Sequence, residues 1–148
     1  MPDTQTDRQA AGIIQGCWQN TLGASINVMP LAVDELWQRV YAGDYDMALL
    51  PLSDSTAMGL LEDFASDTDR YCTGWQSEEY DALLDQAAAE TGEQAVRTLA
   101  QAEQLLLQSG VVLPLYTSMS YYAVSSEVQG AWIDPGEGVI YIKYITKS

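Results

Sequence analysis

The first twenty-odd residues have apolar positions at helical spacing. Thr6 and Gln9 have the spacing of a capping box, in which the two side chains satisfy backbone N–H groups at a helix start. Gly23 follows where a left-handed residue would end the helix. The apolar positions recur every three or four residues: Ala10, Ile13, Ile14, Cys17, Trp18 and Thr21. We therefore predict a helix over residues 6–22.

Four further segments have helical spacing. Asp34 is placed to cap a helix that ends before Gly43, and residues 58–64 form a short helical piece. Ser77 is placed to cap the next helix, and Gly110 ends the last one. These last two helices are joined by only a few residues, which predicts that they pack as an antiparallel pair. The remaining signals are a capping box at Thr91 and Gln94, and apolar stripes at Leu36, Trp37, Val40 and Tyr41, at Tyr80, Leu83, Leu84 and Ala87, and at Val96, Leu99, Ala102 and Leu106.

Strands are predicted where apolar residues alternate with polar ones or run continuously. Residues 46–52 are almost continuously apolar, which is typical of a strand buried on both faces, and residues 25–31 alternate in part. The order helix–strand–helix–strand implies parallel pairing. Later strands are predicted at 111–115, where Pro114 favours a sheet edge, and at 119–124 and 138–145. The fold class is therefore α/β, with a small mixed sheet flanked by helices.

Composition narrows the classes of protein that fit this pattern. The chain has 148 residues, 47% of them hydrophobic and 18% charged, which is the composition of one globular domain. Six basic against 21 acidic residues give a net charge of −15, which disfavours nucleic acids and anionic membranes. Residues 1–7 lack the features of a signal peptide, so we expect either a cytoplasmic protein or a chain that starts after its targeting segment.

Catalytic and metal chemistry find little support in the sequence. The chain has no histidine, which removes His-based catalysis and the commonest metal ligand. Cys17 and Cys72 are too few for a zinc site; they could form one bridge, or Cys17 could be a buried thiol on its helix. Asp67 and Asp69 lack the other ligands of a calcium loop and are interpreted as a solvated acidic loop, and residues 136–138 as a turn. We therefore expect no enzyme activity, no metal and no cofactor.

Asp54 is the one candidate binding residue that stands out. It directly follows the predicted buried strand, at the end where ligands bind in open α/β sheets. A single carboxylate there would suit a cationic group such as an α-amino group. The alternative is that Asp54 only caps the short helix that follows. Four aromatic residues outside the predicted helices could line a pocket: Trp75, Tyr121, Tyr122 and Trp132.

Five stretches share motifs, in the same order, with one protein family. They are Trp18–Gly23 with Ile26–Met29, Leu36–Leu49, Thr73–Leu84, Ala102–Leu106 with Val112–Tyr116, and Val128–Gly130 with Asp134 and Pro135. Together they cover almost the whole chain. They resemble the C-terminal part of the peptide-binding proteins of bacterial ABC importers, the family 5 solute-binding proteins.

The resemblance implies a class II periplasmic-binding-protein-like fold made of two lobes. Residues 1–148 would be a single α/β lobe, with a tail from about residue 130 to 148 that returns to the other lobe. The whole protein would bind oligopeptides between its lobes and deliver them to a membrane ABC permease. It would lie outside the cytoplasm, in the periplasm or as a lipoprotein on the membrane. Alone, the lobe would be a monomer that binds peptide weakly or not at all, because it supplies half of the cleft.

The resemblance also assigns site residues. Asp54 matches the family's carboxylate that pairs with the α-amino group of the peptide, and Leu52 and Ser53 match backbone that hydrogen-bonds the extended peptide. Trp75 is expected to wall the pocket. Pro51 stands where the family has tryptophan and has no N–H to donate. Two alternatives therefore remain: a non-peptide ligand, such as a nickel chelate or an oligosaccharide, and a stand-alone interaction or sensory module.

Overall fold

The computed structural model describes residues 1–117, 123–133, 140–141 and 143–147. Five helices lie in this part of the chain: α1 (Gln5–Leu22), α2 (Val33–Tyr41), α3 (Ala57–Glu62), α4 (Glu78–Ala89) and α5 (Glu93–Ser109). Four two-residue strands follow: β1 (Val128–Gln129), β2 (Trp132–Ile133), β3 (Ile140–Tyr141) and β4 (Thr146–Lys147). β1 pairs with β4, and β2 pairs with β3, both antiparallel.

The first helix forms as predicted but begins with a different cap. Thr4 has an extended backbone, and its hydroxyl oxygen accepts the N–H of Asp7 at 3.1 Å. The capping box predicted at Thr6 and Gln9 is wrong, since both residues lie inside the helix. Asp7 lies in the first turn of α1, where an acidic side chain stabilises the positive end of the helix dipole. Gly23 ends the helix with a φ of 66°, as predicted.

Of the capping residues predicted for the later helices, one is confirmed and two are wrong. The hydroxyl oxygen of Ser77 accepts a backbone N–H from the first turn of α4 at 3.2 Å, as predicted. The box predicted from Thr91 is wrong, because the cap position of α5 is Gly92, whose φ of 64° is a conformation that glycine adopts without steric strain. Asp34 lies in the first turn of α2 without capping it, and the cap position is Ala32.

The predicted parallel strands do not form. Residues 25–31, 46–52 and 111–115 are all described, and none of them forms a strand. A single parallel bridge joins Pro2 to Leu31. Apolar alternation reports which side chains are buried, whereas a strand also needs a hydrogen-bonded neighbour. Among the described residues this bridge is the extent of their strand pairing, so the predicted mixed sheet does not form and the strands described are two small antiparallel pairs.

The predictions for the last third are tested only in part. Where it is described, the strand predicted at 138–145 forms only as the two-residue strand β3; residues 143–144 are a turn, and β4 begins beyond the predicted range at Thr146. Residues 123 and 124 are not in a strand. The remaining features predicted here lie outside the described residues: residues 119–122 with Tyr121 and Tyr122, the motif Asp134–Pro135, and the turn at 136–138.

In the described part of the chain, the buried residues of the hydrophobic core cluster lie between positions 36 and 106. Its buried members are Leu36, Val40, Leu61, Phe64, Ala65, Tyr71, Tyr80, Leu84, Ala102 and Leu106. They come from α2 to α5 and from the loop after α3. α4 and α5 are joined by three residues and pack against each other, as predicted. Because Tyr80 and Val40 are fully buried, they anchor α4 and α2 in this core.

α1 stands apart from this core. Within the described part of the chain it buries none of its 18 residues, and Ile13 is 68% exposed. Its tertiary hydrogen bonds are few: the Gln15 side chain donates to the Ile26 carbonyl at 2.6 Å, and the Tyr116 hydroxyl donates to Asp7 at 2.9 Å. The apolar stripe of α1 therefore has no element of the described chain packed on it.

The two cysteines follow from this arrangement. Cys17 is exposed on α1, so the interpretation of a buried thiol is wrong. Cys72 is also exposed, and no disulfide joins the two.

Candidate functional site

The segment before Asp54 packs against the core without forming a strand. Leu50 and Leu52 are half-buried and pack against the core cluster. Pro51, Ser53 and Asp54 are exposed. The side chains of Leu50 and Leu52 thus hold the segment against the core, while Pro51, Ser53 and Asp54 are exposed to solvent.

The Asp54 carboxylate is held by its own loop. Its Oδ1 accepts the N–H of Thr56 at 2.9 Å and the hydroxyls of Thr56 and Ser55 at 3.3 and 3.5 Å. Thr56 itself is the cap of α3, because its hydroxyl oxygen accepts the N–H of Gly59 at 3.0 Å. Asp54 therefore supports the capping residue rather than capping the helix itself, and its side chain points over Gly59.

Trp75 belongs more to the core than to an open pocket. It is half-buried, and its ring meets that of Tyr80 edge-on at 4.9 Å between centroids. Both Trp75 and Leu52 pack against the core cluster, so the structure attaches these two candidate residues to the same core.

The loop before Trp75 is organised by Asp69, whose role the sequence analysis missed. Its Oδ1 accepts the N–H and hydroxyl of Thr73 at 2.8 and 2.9 Å, and its Oδ2 accepts the N–H of Gly74 at 2.9 Å. Burial alone would raise the pKa of Asp69, but these hydrogen bonds outweigh it and lower the pKa. An acid placed shortly before a Thr-Gly pair was the available signal, since Asp side chains often bond nearby backbone N–H groups.

A second acid ties the same loop to the core. The Asp63 carboxylate, 13% exposed, pairs with the guanidinium of Arg70 at 3.0 Å and accepts the Tyr71 hydroxyl at 2.8 Å. Burial, followed by the bond to Asp63, raises the pKa of Tyr71, which therefore stays protonated as a donor. These acids hold protein groups and are not arranged to meet a ligand.

The structure offers no built site for a metal. In the described residues no group of three or more Cys, Asp or Glu side chains could hold an ion.

None of the described helices has the length and apolar character that a membrane crossing requires.

Two shallow grooves in the described part of the chain have volumes of about 420 and 330 Å³. The first lies along α5, and the second lies between α4 and α5; both are lined mainly by glutamine, glutamate and leucine side chains. Neither groove is lined by Asp54 or Trp75.

Comparison with known proteins finds similarity to two peptide-binding proteins. No protein-family model matches it. It is 27% identical to the dipeptide-binding protein DppE of Bacillus subtilis (strain 168) over 95% of the chain and 26% of DppE. A solved structure of the pheromone receptor PrgZ, which describes its mode of peptide binding, superimposes with a TM-score of 0.77 at 18% identity, over 99% of this chain and 29% of that one. The chain thus spans little more than a quarter of the length of either protein. These similarities confirm the resemblance found in the sequence: the chain is similar in sequence to a dipeptide-binding protein and in fold to a peptide-binding pheromone receptor.

Proposed function

We propose that the chain is one lobe of an extracytoplasmic solute-binding protein that captures oligopeptides for an ABC importer. The observation that carries the proposal is similarity to a dipeptide-binding protein along 95% of the chain. The chain catalyses no reaction in this proposal. Its partners are the peptide and, through the whole protein, a membrane permease. The whole protein lies at the cell envelope, in the periplasm or as a lipoprotein.

The open surface around Asp54 supports the two-lobed arrangement. Binding sites for small ligands bury most of the ligand. Among the described residues Asp54 and Ser53 are exposed and line neither of the two grooves described above, and in the proposal the other lobe supplies the second wall of the site. In the proposal residues 1–148 form the single α/β lobe of a class II fold, and the stretch from about residue 130 returns to the other lobe. The lobe alone is a monomer that binds peptide weakly.

Asp54 is the proposed contact for the peptide α-amino group. Its carboxylate is exposed and is held in one place by Thr56, so little freedom is lost when a ligand binds. Leu52 and Ser53 supply backbone contacts, and Trp75 contributes the exposed part of its ring to the wall. Pro51 donates no hydrogen bond to the peptide.

Calorimetry of the full-length protein that contains this chain, titrated with a mixed pool of di- to pentapeptides, tests the proposal. We expect Asp54→Ala to weaken binding by about tenfold or more, because a charge-assisted hydrogen bond is worth about 1.5–3 kcal/mol. Asp85→Ala is the matched control, since it removes the same charge from an exposed position on α4. Equal affinity of the wild-type and Asp54→Ala proteins would show that Asp54 is not the contact.

A non-peptide ligand is the second candidate, and Pro51 is the observation that favours it. Proline cannot donate the backbone hydrogen bond that an extended peptide would accept at this position. A nickel chelate or an oligosaccharide needs no such strand-like pairing. Heat on titration with one of these, and none with the peptide pool, would select this candidate.

A further inference from the structure

We infer that Gly59 sets the orientation of the Asp54 carboxylate and is therefore a positioning residue for the ligand contact; this rests on the function proposed above. Gly59 lies inside α3, directly under the carboxylate. A Cβ built on Gly59 would lie 2.7 Å from Cγ and 2.9 Å from Oδ2 of Asp54, and closer still to Oδ1. Real Cβ atoms do not approach other atoms so closely. The carboxylate occupies this place because residue 59 has no side chain.

The hydrogen bonds of Asp54 show what this placement achieves. All three end on Oδ1, from the Thr56 N–H and from the hydroxyls of Thr56 and Ser55. Among the described residues Oδ2 accepts none. The carboxylate is thus anchored through one oxygen and presents the other, which suits a single N–H donor of a primary ammonium group.

Glycine inside a helix is unfavourable relative to alanine, and at position 59 the close approach of the Asp54 carboxylate accounts for it. Gly12 and Gly16 lie in α1 with open space where a Cβ would be. Gly59 differs from them, since an added methyl group would meet a charged side chain. That side chain ends in rotatable bonds, so it would swing away and leave the backbone of α3 in place. We therefore expect Gly59→Ala to move the carboxylate without unfolding the helix.

The test compares peptides with free and N-acetylated amino termini. The full-length protein is titrated with the di- to pentapeptide pool and with its acetylated counterpart, and the ratio of the two affinities measures the contact with the amino group. We expect Asp54→Ala to lower this ratio about tenfold or more, and Gly59→Ala to lower it comparably. In the double variant Asp54→Ala/Gly59→Ala, the ratio is the same as in Asp54→Ala alone. Gly12→Ala is the matched control and leaves the ratio unchanged.

Two readouts separate positioning from a purely structural role. The melting temperature of Gly59→Ala stays within about 2 °C of the wild type. Hydrogen exchange at the Thr56 amide of the 148-residue chain becomes faster in Asp54→Ala and in Gly59→Ala, because both lose the bond to Oδ1. A structural role would instead lower the melting temperature and weaken both peptide forms equally.

The outcomes distinguish this inference from the function on which it rests. If Asp54→Ala leaves the ratio unchanged, the proposed contact fails and the inference fails with it. If Asp54→Ala lowers the ratio and Gly59→Ala does not, the contact stands and the role of Gly59 is overturned. Unchanged exchange at the Thr56 amide in Gly59→Ala also overturns it, whatever the ligand.

Discussion

Replacing Tyr80 with alanine is expected to destabilise the chain by about 3–5 kcal/mol, the usual cost of deleting a buried aromatic ring. Tyr80 is fully buried, and its hydroxyl donates to the Leu61 carbonyl at 2.7 Å, so it joins α4 to α3. Its ring also supports Trp75 edge-on. The variant removes packing and leaves a buried carbonyl without its donor. Urea unfolding followed by circular dichroism measures the loss.

Two further variants divide this effect into its parts. Tyr80→Phe keeps the ring and removes only the hydroxyl, so we expect a loss of about 1–2 kcal/mol. Val96→Ala on α5 changes a side chain that is 64% exposed, and its effect should stay within about 0.5 kcal/mol. If Tyr80→Ala cost no more than Val96→Ala, the core would not be centred on α4.

Asp69→Ala is expected to cost about 2–3 kcal/mol at neutral pH, since it removes an ionised acceptor of three hydrogen bonds. The residue also has a positive φ of 30°, a backbone conformation that aspartate and asparagine tolerate better than alanine. The loop from Asp69 to Trp75 would lose the carboxylate that accepts hydrogen bonds from its N–H groups. Thermal unfolding of wild type and variant in parallel measures the difference.

The pH dependence identifies the carboxylate as the cause. The pKa of Asp69 is lowered in the folded chain, so its stabilisation is fully present above the unfolded pKa of about 3.9 and is lost as pH falls through the lower, folded pKa. The gap between wild type and Asp69→Ala should therefore be constant from pH 7 to about 5 and shrink below about pH 4. Asp69→Asn, which cannot ionise, serves as the control. A gap that is independent of pH would mean that backbone strain dominates.

The sequence predicted the helices better than the strands, and the reason is physical. Helix signals are local: the stripe of α4 and its cap at Ser77 lie within a few turns of each other, and both are confirmed. A strand depends on a distant partner, and residues 46–52 show that an apolar run can pack on a core without joining a sheet. The wrong cap at Thr91 has a different cause, since the neighbouring Gly92 offered a left-handed start.

The sequence singled out Asp54 because it follows a predicted buried strand, and that strand does not form. The structure shows an exposed Asp54 carboxylate, and its contact with a ligand stays a prediction. The support by Thr56 and the close approach of Gly59 depend on how the chain turns into α3, which no spacing rule contains. Asp69 was missed because an acid that bonds backbone N–H groups looks, in sequence, like any solvated acid.

The separation of α1 from the core has a consequence for how the chain opens and folds. The buried core residues of the described chain lie between positions 36 and 106, and none of them belongs to α1, so this segment can assemble its core before α1 docks. Regions with few buried contacts open locally at a small fraction of the global free energy of unfolding. Amides in α1 should therefore exchange with solvent protons far sooner than those of α4, at a rate that Tyr80→Ala does not change. The first helix would therefore unfold locally and independently, while the core remains folded.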